Sequence, residues 1–232
     1  MFIEIKNAKK SYGKGEAQVN AMDGIDLSLE KGKIYTILGP SGSGKSTLLN
    51  MLGGIDNIDS GTMEVDGTDL TKLSKKQMCD YRRRSVGFVF QSYNLIPDLT
   101  VRENVQSVKD IAEDPFDIDE MLDALGIKEL AGRFPRELSG GQQQRVAIAR
   151  ALVKNPKILL CDELTGALDS KSSRMVLEFL EKIHEKYATT VIIVTHNEAI
   201  AAMADIVIRI QDGNVKSVTE NENRIKSEDI VF

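Results

Sequence analysis

Hydrophobic and polar positions alternate along this chain in a way that predicts strands separated by helices. Three short apolar runs have the length of buried strands and cover residues 34–38, 158–161 and 191–195. Three longer segments rich in helix formers follow glycines or polar turns and cover residues 45–52, 142–153 and 172–186. Because strands that alternate with helices are typical of a mostly parallel sheet covered by helices, the pattern predicts an α/β fold.

The middle of the chain has a different character. From about residue 92 to residue 145 it is rich in Asp, Glu, Leu and Ala and lacks long β-branched runs. We interpret this segment, 92–145, as a helical subdomain inserted into a single domain, whose core covers about residues 1–91 and 146–232. The last dozen residues, from Glu220, are charged and are expected to be frayed or loosely docked.

Composition and charge narrow the function without identifying it. The 232 residues are 41% hydrophobic and 28% charged, as in an ordinary soluble globular protein. A formal net charge of −5 speaks against nucleic acid as a partner. The apolar runs are far shorter than the roughly 20 residues of a membrane-spanning helix, and the first residues lack a signal-peptide layout. Cys79 and Cys161 lack metal-ligand spacing, so a reduced, cytosolic protein is the simplest interpretation.

The strongest chemical motif is a glycine-rich loop between a predicted strand and a predicted helix. It matches the P-loop pattern and consists of Gly39, Pro40, Ser41, Gly42, Ser43, Gly44, Lys45, Ser46 and Thr47. The glycines allow backbone N–H groups to curl around a β-phosphate, and the helix N-terminus adds partial positive charge. Lys45 can reach the β- and γ-phosphates of ATP, Ser46 can ligate Mg²⁺, and Thr47 can donate to the α-phosphate. The alternative is a structural turn between a strand and a helix.

Two carboxylates, Asp162 and Glu163, end the apolar run at 158–161. Ligands of parallel sheets bind at the carboxyl ends of strands, so these acids are expected to face the nucleotide. Asp162 is the natural partner of Mg²⁺ through a coordinated water. Glu163 can orient and deprotonate an attacking water. Without the P-loop, a strand end with two solvated acids would explain them equally well.

His196 and Gln91 are weaker candidates. Each follows an apolar, strand-like run, and a lone histidine there is more often a satisfied loop residue. In the company of a P-loop, His196 can contact the γ-phosphate. Gln91 can touch both Mg²⁺ and the attacking water, and so report the nucleotide state to the helical segment.

A second glycine-rich helix start lacks a lysine. It consists of Ser139, Gly140, Gly141 and Gln142. Ser139 and Gln142 have capping-box spacing, so one explanation is simply a well-capped helix. Paired glycines also let phosphates approach backbone N–H groups closely. One explanation for a second such helix start is that it serves a nucleotide held by another copy of the chain.

Together these elements resemble the ATP-binding cassette (ABC) ATPases, in the right order over nearly the whole chain. The matches are Walker A at 39–46, the Q-loop at Gln91, the LSGGQ signature at 138–142, Walker B at 158–163, the D-loop at Ala167, Leu168 and Asp169, and the switch histidine at His196. The resemblance implies a P-loop NTPase fold of ABC type, with a RecA-like, mostly parallel sheet core, an antiparallel β subdomain and a helical subdomain. It also implies an ATPase that takes Mg²⁺-ATP, with Tyr12 stacked on the adenine.

Segments 53–56, 82–90 and 91–104 are similar to the MacB, LolD and FtsE branch of that family. This branch implies an integral membrane permease of MacB/FtsX-like fold as partner, and a peripheral location at the cytoplasmic face of the cell membrane. It implies work such as efflux of antibiotics or peptides, or lipoprotein release. The family resemblance further implies a dimer in which a second copy supplies Ser139–Gly141 to each ATP.

The residues after Gln91 suggest where a permease helix docks. We expect a groove lined by Tyr93, Leu95, Ile96 and Leu99. The alternative is that these four residues form the internal core of the helical segment.

Two positions depart from the family pattern, and two other functions stay open. Leu164 replaces the usual proline after Glu163, which frees φ and is expected to loosen the geometry of Glu163 slightly. Asn197 replaces the usual aspartate after His196 and removes a charge.

An FtsE-like, non-transporting regulator of cell-wall hydrolysis is one alternative function, and a soluble ABC ATPase is another. The single cassette and the lack of sustained heptads disfavour the soluble class.

Overall fold

The computed structural model describes residues 1–166 and 168–230. The strands are β1 Ile3–Tyr12, β2 Val19–Leu29, β3 Ile34–Leu38, β4 Ser60–Val65, β5 Thr68–Asp69, β6 Val86–Val89, β7 Ile158–Asp162, β8 Thr190–Thr195, β9 Ile206–Gln211 and β10 Asn214–Glu220. The helices are α1 Lys45–Leu52, α2 Lys75–Ser85, α3 Val101–Lys109, α4 Ile118–Ala124, α5 Gly140–Leu152, α6 Ser170–Tyr187 and α7 Glu198–Ala201. Short 3₁₀ turns join several of them.

The larger sheet determines where the functional loops meet. It has six strands in the order β10-β9-β3-β8-β7-β6, and only the edge strand β10 runs antiparallel to its neighbour. Strands β3 and β8 are buried along their whole length, which explains why they read as continuous apolar runs in the sequence. Because β3, β8, β7 and β6 are successive neighbours, the segments after these strands emerge side by side at one edge of the sheet.

A smaller antiparallel sheet is formed by strands from the first 69 residues of the chain. Its strand order is β2-β1-β4-β5, and β1 pairs with both β2 and β4. The pairing of β1 and β2 contains register shifts, and it ends with Tyr12 opposite Val19.

Two hydrophobic clusters cover the two faces of the parallel sheet, and the alternation of strand β7 divides its side chains between them. Leu159 and Cys161 join the cluster formed with α3, α4, α5 and α6. Ile158 and Leu160 join the cluster formed with α1, α2 and the antiparallel sheet. The helices of the 92–145 segment therefore bury their apolar faces on the same core as the sheet.

Local signals set the helix ends. Thr100 and Glu103 form a capping box at the start of α3, and Ser139 with Gln142 does so for α5. Because of that cap, α5 begins at Gly140, two residues before the predicted start. Helix α6 begins at Ser170 because Asp169 accepts a hydrogen bond from the Ser172 N–H at 2.8 Å.

Of the two expected alternatives for the charged tail, the described part from Arg224 to Ile230 is docked and not frayed. Ser227 and Ile230 are buried, and the Ser227 hydroxyl donates to Glu181 at 2.6 Å. Arg224 donates to both Glu181 and Asp205, at 2.9 Å and 3.1 Å. One charged residue of this segment, Arg224, thus helps to dock it onto α6, whereas Glu228 and Asp229 stay exposed.

Candidate active site

The glycine-rich loop lies between β3 and α1, as the sequence predicts. Gly44 has a φ of 100°, and a Cβ there would collide with the carbonyl oxygen of Ala21. A Cβ on Gly39 would likewise collide with the carbonyl oxygen of Ile210. Both glycines are therefore required by close backbone approach, and they bring the loop against β2 and β9.

Lys45 is folded back onto its own loop. Its side-chain ammonium donates to the carbonyl oxygens of Gly39 at 2.9 Å and of Pro40 at 2.7 Å. Burial lowers the pKa of Lys45, while Glu163 and Asp162 act in the opposite direction. The loop thus holds a cation at its centre, poised to exchange carbonyl partners for the oxygens of a bound anion.

Ser46, at the start of α1, is in contact with Asp162, at the end of β7. The Ser46 hydroxyl donates to Asp162 Oδ1 at 3.0 Å, although the residues lie 116 positions apart. Burial raises the pKa of Asp162, and the Ser46 hydrogen bond opposes that rise. A hydroxyl and a carboxylate at this separation form an oxygen-rich pair beside the phosphate loop.

Glu163 is the hub of the predicted catalytic residues. Its Oε2 accepts from the Gln91 amide at 3.1 Å, and its Oε1 lies 3.3 Å from Nδ1 of His196. A carboxylate has no proton to donate, so this arrangement assigns the donor role to Nδ1. The Glu163 side chain is 25% exposed and that of His196 is 66% exposed. Three strand ends therefore converge on one half-buried carboxylate that water can reach.

The backbone at Glu163 is strained. Its φ is +47°, in the left-handed region that costs a non-glycine residue about 1 to 3 kcal/mol. The Glu163 N–H donates to the carbonyl oxygen of Val194 at 2.9 Å, which ties the strained residue to β8. Leu164 is 2% exposed and belongs to the core cluster. The leucine thus anchors this turn by burial, where the family pattern has proline.

Asn197 performs a structural task next to His196. Its Oδ1 accepts from the Ala199 N–H at 2.9 Å and caps the short helix α7. Asparagine and aspartate are comparable helix caps, so the substitution keeps the turn while it removes the charge.

The second glycine-rich helix start is well capped and makes its hydrogen bonds locally. The Ser139 N–H donates to Gln142 Oε1 at 2.8 Å, and the Gln142 N–H donates to Ser139 Oγ at 3.4 Å. A Cβ added to Gly141 would lie 2.9 Å from Ser172 Oγ, on α6. Gly141 therefore allows α5 to approach α6 closely, a packing role within the chain that the sequence did not reveal. No hydrogen bond among the described residues joins Ser139, Gly140, Gly141 or Gln142 to the phosphate loop.

Tyr12 lies beside the phosphate loop with its ring 43% exposed. Its hydroxyl donates to Asp56 Oδ2 at 2.9 Å and lies close to the side chain of Thr47. Asp56 belongs to the segment 53–56 that matched the family branch, but its contact with Tyr12 could not be predicted because 44 residues separate the two. In the D-loop, Leu168 packs against the core and Asp169 caps α6, while Ala167 lies outside the described residues.

The predicted groove after Gln91 is lined differently from the expectation. Tyr93 and Leu95 pack against the core cluster, and Leu99 is only partly exposed, whereas Ile96 is 43% exposed. The buried Asn104 side chain holds the backbone of the segment that follows them, through hydrogen bonds to Ile96 and Leu99. For Tyr93 and Leu95, the core alternative describes the structure better.

A cleft of about 220 Å³ lies nearby instead. Its lining includes apolar and basic side chains, those of Ile55, Arg82, Phe88, Phe90, Arg150 and Lys154. The two phenylalanine rings stack with centroids 4.1 Å apart. Arg150 donates to the carbonyl oxygens of Tyr93 and Asn94, at 2.9 Å and 2.6 Å. The cleft thus touches the segment that follows Gln91.

Comparison with known proteins identifies the family to which this chain belongs. A family model described as "ABC transporter" matches residues 22–166. The chain is 46% identical to the putative ABC transporter ATP-binding protein MG065 homolog of Mycoplasma pneumoniae, over 98% of this chain and 50% of that protein. It is 42% identical to the macrolide export ATP-binding/permease protein MacB of Bdellovibrio bacteriovorus, over 93% and 33% respectively. It is 40% identical to the bacitracin export ATP-binding protein BceA of Halalkalibacterium halodurans, over 92% and 86%.

The chain spans half the length or less of the first two of these relatives. None of the helices in the described part of the chain is both long and apolar enough to cross a membrane. A solved dimeric, post-hydrolysis structure of the ATP-binding cassette MJ0796 with ADP and Pi superimposes with a TM-score of 0.87 at 37% identity, over 95% of this chain and 99% of that one. The predicted fold class is therefore confirmed. With the family model matched over 22–166 and relatives 40% to 46% identical along nearly its whole length, this chain belongs to the ABC transporter family, as an ATP-binding cassette.

Proposed function

We propose that this chain binds and hydrolyses ATP and drives a partner membrane permease of the MacB type, in export of or resistance to antibiotics or antimicrobial peptides. The observation that carries the proposal is the convergence of Gln91 and His196 on the Glu163 carboxylate, next to the Ser46–Asp162 pair. The likeness to export proteins named MacB and BceA supports the direction and the class of cargo.

ATP would be held by the phosphate loop from Gly39 to Thr47. Lys45 would release the two loop carbonyls and meet the β- and γ-phosphates, while the N-terminus of α1 adds partial positive charge. The exposed ring of Tyr12 is available for the adenine.

The residues beside the loop suit Mg²⁺. Ser46 and Asp162 offer oxygen atoms 3.0 Å apart, and hard cations prefer oxygen ligands. No group of three or more His, Cys, Asp or Glu that could hold a metal occurs among residues 1–166 and 168–230, so phosphate oxygens and waters would complete the coordination, with Gln91 close by. When bound, Mg²⁺ would neutralise charge on the phosphates.

Hydrolysis would depend on the Glu163 hub. The Glu163 carboxylate would orient the attacking water and accept its proton. Gln91 and His196 would hold that carboxylate in place, and His196 is exposed enough to reach the γ-phosphate. The strained backbone at Glu163 fixes the direction of the side chain before the nucleotide arrives.

A second copy of the chain would complete each site. The helix start Ser139–Gln142 is exposed or half-exposed, capped, and free of any link to its own phosphate loop in the described structure. Its backbone N–H groups could therefore serve the γ-phosphate of a nucleotide held by the other copy. The dimeric state of the cassette MJ0796 supports this arrangement.

The cleft beside β6 is the best-supported contact for the permease. Arg83 and Arg84 are paired with Asp80 and Glu113, at 2.8 Å and 2.7 Å. Arg82, Arg150 and Lys154, by contrast, donate to backbone carbonyls, and no carboxylate of the described residues pairs with them. An apolar permease segment that bears a carboxylate would match both the phenylalanine floor and the cations. Through such a permease the chain would lie at the cytoplasmic face of the membrane.

The proposal is tested with Glu163→Gln. The variant should keep ATP affinity, lose nearly all turnover, and form a dimer with ATP that gel filtration detects, because the amide cannot accept the water proton. The matched control is Glu178→Gln, a glutamate on α6 with no hydrogen bond to the hub. Undiminished turnover in Glu163→Gln would refute the assignment of the catalytic carboxylate.

A further inference from the structure

We infer that Asp56 is a positioning residue for the nucleotide: with Lys10, it fixes the ring of Tyr12 at a set place relative to the phosphate loop. The inference rests on the proposed function, because it concerns the same ATP site. It assigns a role to a carboxylate that neither touches the phosphates nor belongs to the phosphate loop.

The contacts of Asp56 join three parts of the structure. Its Oδ2 accepts from the Tyr12 hydroxyl at 2.9 Å. Its Oδ1 accepts from the Lys10 ammonium at 3.2 Å and from the Asn57 N–H at 2.7 Å. Each oxygen therefore has a defined partner, and the carboxylate ties the end of β1 to the segment that follows α1.

Asp56 is held rigidly to the helix that carries the phosphate loop. The N–H groups of Ile55 and Asp56 both point to the carbonyl oxygen of Asn50, at 2.9 Å and 3.5 Å. Asn50 lies within α1, which begins at Lys45. Through Asp56, the Tyr12 hydroxyl is therefore held at a fixed position relative to α1, the helix that begins with the phosphate-binding lysine.

The Tyr12 hydroxyl stays a donor. Burial and the Asp56 carboxylate both raise the pKa of Tyr12, so the phenol keeps its proton at neutral pH. The side chain of Thr47, a member of the phosphate loop, lies close to the same hydroxyl. The phenolic oxygen thus contacts the carboxylate that follows α1 and lies near the beginning of the same helix.

Lys10 decides which face of the Tyr12 ring is open. Its ammonium lies 5.2 Å from the ring centroid, and its side chain is only 12% exposed. Asp56, Asp59 and the carbonyl oxygen of Asn57 hold it there, at 3.2 Å, 3.4 Å and 2.7 Å. A lysine fixed on one face leaves the opposite face for a base to stack on.

These contacts set the separation between the base platform and the phosphate loop. A nucleotide bridges both only if its base and its phosphates reach them together, so a platform fixed in advance lowers the ordering cost of binding. Loss of the clamp should therefore weaken ligands that carry a base and spare ligands that consist of phosphates alone.

The test uses the purified full chain with two ligands, Mg²⁺-ATP and Mg²⁺-tripolyphosphate, each titrated by calorimetry. Asp56→Ala removes the clamp, and Tyr12→Phe keeps the ring but removes only the hydroxyl. For both variants we expect the Kd for ATP to rise roughly three- to tenfold, as for loss of one hydrogen bond, while the Kd for tripolyphosphate changes less than about twofold. In turnover assays KM should rise by the same factor with kcat nearly unchanged.

The control is Asp66→Asn, which removes another carboxylate–lysine pair, to Lys157 at 2.6 Å, at the amino end of β7. It should leave both Kd values as in the parent chain. Equal weakening of ATP and tripolyphosphate in Asp56→Ala or Tyr12→Phe would overturn the inference, since it would mark a general structural defect. Unchanged ATP affinity in both variants would overturn it as well. If the parent chain itself failed to bind ATP, the proposed function would fail first, and that result is distinguishable from the other two.

Discussion

Lys154 is a half-buried cation whose removal should stabilise the folded chain at neutral pH. It follows the end of α5, and its ammonium donates to the carbonyl oxygen of Arg82 at 2.8 Å. Burial, with a smaller contribution from the charge of Arg82, lowers the pKa of Lys154 from its ordinary 10.5 to about 8. The ammonium of Lys154 therefore loses its proton more readily in the folded chain than in the unfolded chain. Lys154→Met removes the charge and keeps a side chain of nearly the same length.

The magnitude follows from the two pKa values. One pH unit corresponds to about 1.4 kcal/mol, so the gap between 10.5 and about 8 makes the charged lysine cost about 3 kcal/mol of folding free energy. The variant also loses the hydrogen bond to the Arg82 carbonyl, which offsets about 1 kcal/mol of the gain. We therefore expect Lys154→Met to raise the free energy of unfolding at pH 7 by about 1 to 3 kcal/mol.

The pH dependence supplies a second, independent signature. The unfolded chain keeps this proton up to about pH 10.5, whereas the folded chain releases it above about pH 8. Between those values the unfolded state binds more protons, so the stability of the parent chain rises with pH through this window. The advantage of Lys154→Met should accordingly be largest below pH 8 and should disappear toward pH 10.5.

Urea unfolding at pH 7, 8, 9 and 10 measures both effects, because subtraction of the parent chain cancels the titration of all other groups. Lys128→Met, a change at an exposed lysine on the helical segment, serves as the control and should alter stability by less than about 0.5 kcal/mol. A variant less stable than the parent at pH 7, or an advantage that is constant from pH 7 to pH 10, would refute the reasoning.

A lysine kept at this cost is consistent with a partner carboxylate in the cleft, so the stabilised variant should respond more weakly to the permease.

Three further substitutions address the site directly. Gly44→Ala should abolish calorimetric ATP binding, since a Cβ would strike the Ala21 carbonyl and φ is +100°; near-normal affinity would contradict the close approach. Leu164→Ala should lower the urea-derived free energy of unfolding by about 2 to 4 kcal/mol, because the side chain is 2% exposed in the core; a loss below about 1 kcal/mol would mean that it does not anchor the turn. Asn197→Asp should keep kcat within about twofold, since either side chain caps α7; a tenfold change would show that the charge matters.

Much of the local structure could be predicted from the chain alone. The predicted helix at 45–52 and the strand at 34–38 have the observed bounds, because the glycine-rich loop between them marks both ends. The capping box at Ser139 and Gln142 is also observed, since it depends on residues only three positions apart. The sequence left alternatives open where long-range packing decided the outcome, as for the docked segment at Ser227 and for Tyr93 and Leu95, which pack partly against the core.

The sequence by itself determined which chemical groups this protein possesses and in what order, because glycine patterns, caps and apolar runs act within a few residues. Only the tertiary structure decided which of those groups meet. Gln91 reaches Glu163 across 72 positions, and Tyr12 reaches Asp56 across 44. The physical reason is that strand order brings β3, β8, β7 and β6 side by side, and alternation of apolar residues carries no information about that order. The hub at Glu163, the clamp at Asp56 and the unpaired cations of the cleft are therefore properties of the fold, built from residues that the sequence could name only one at a time.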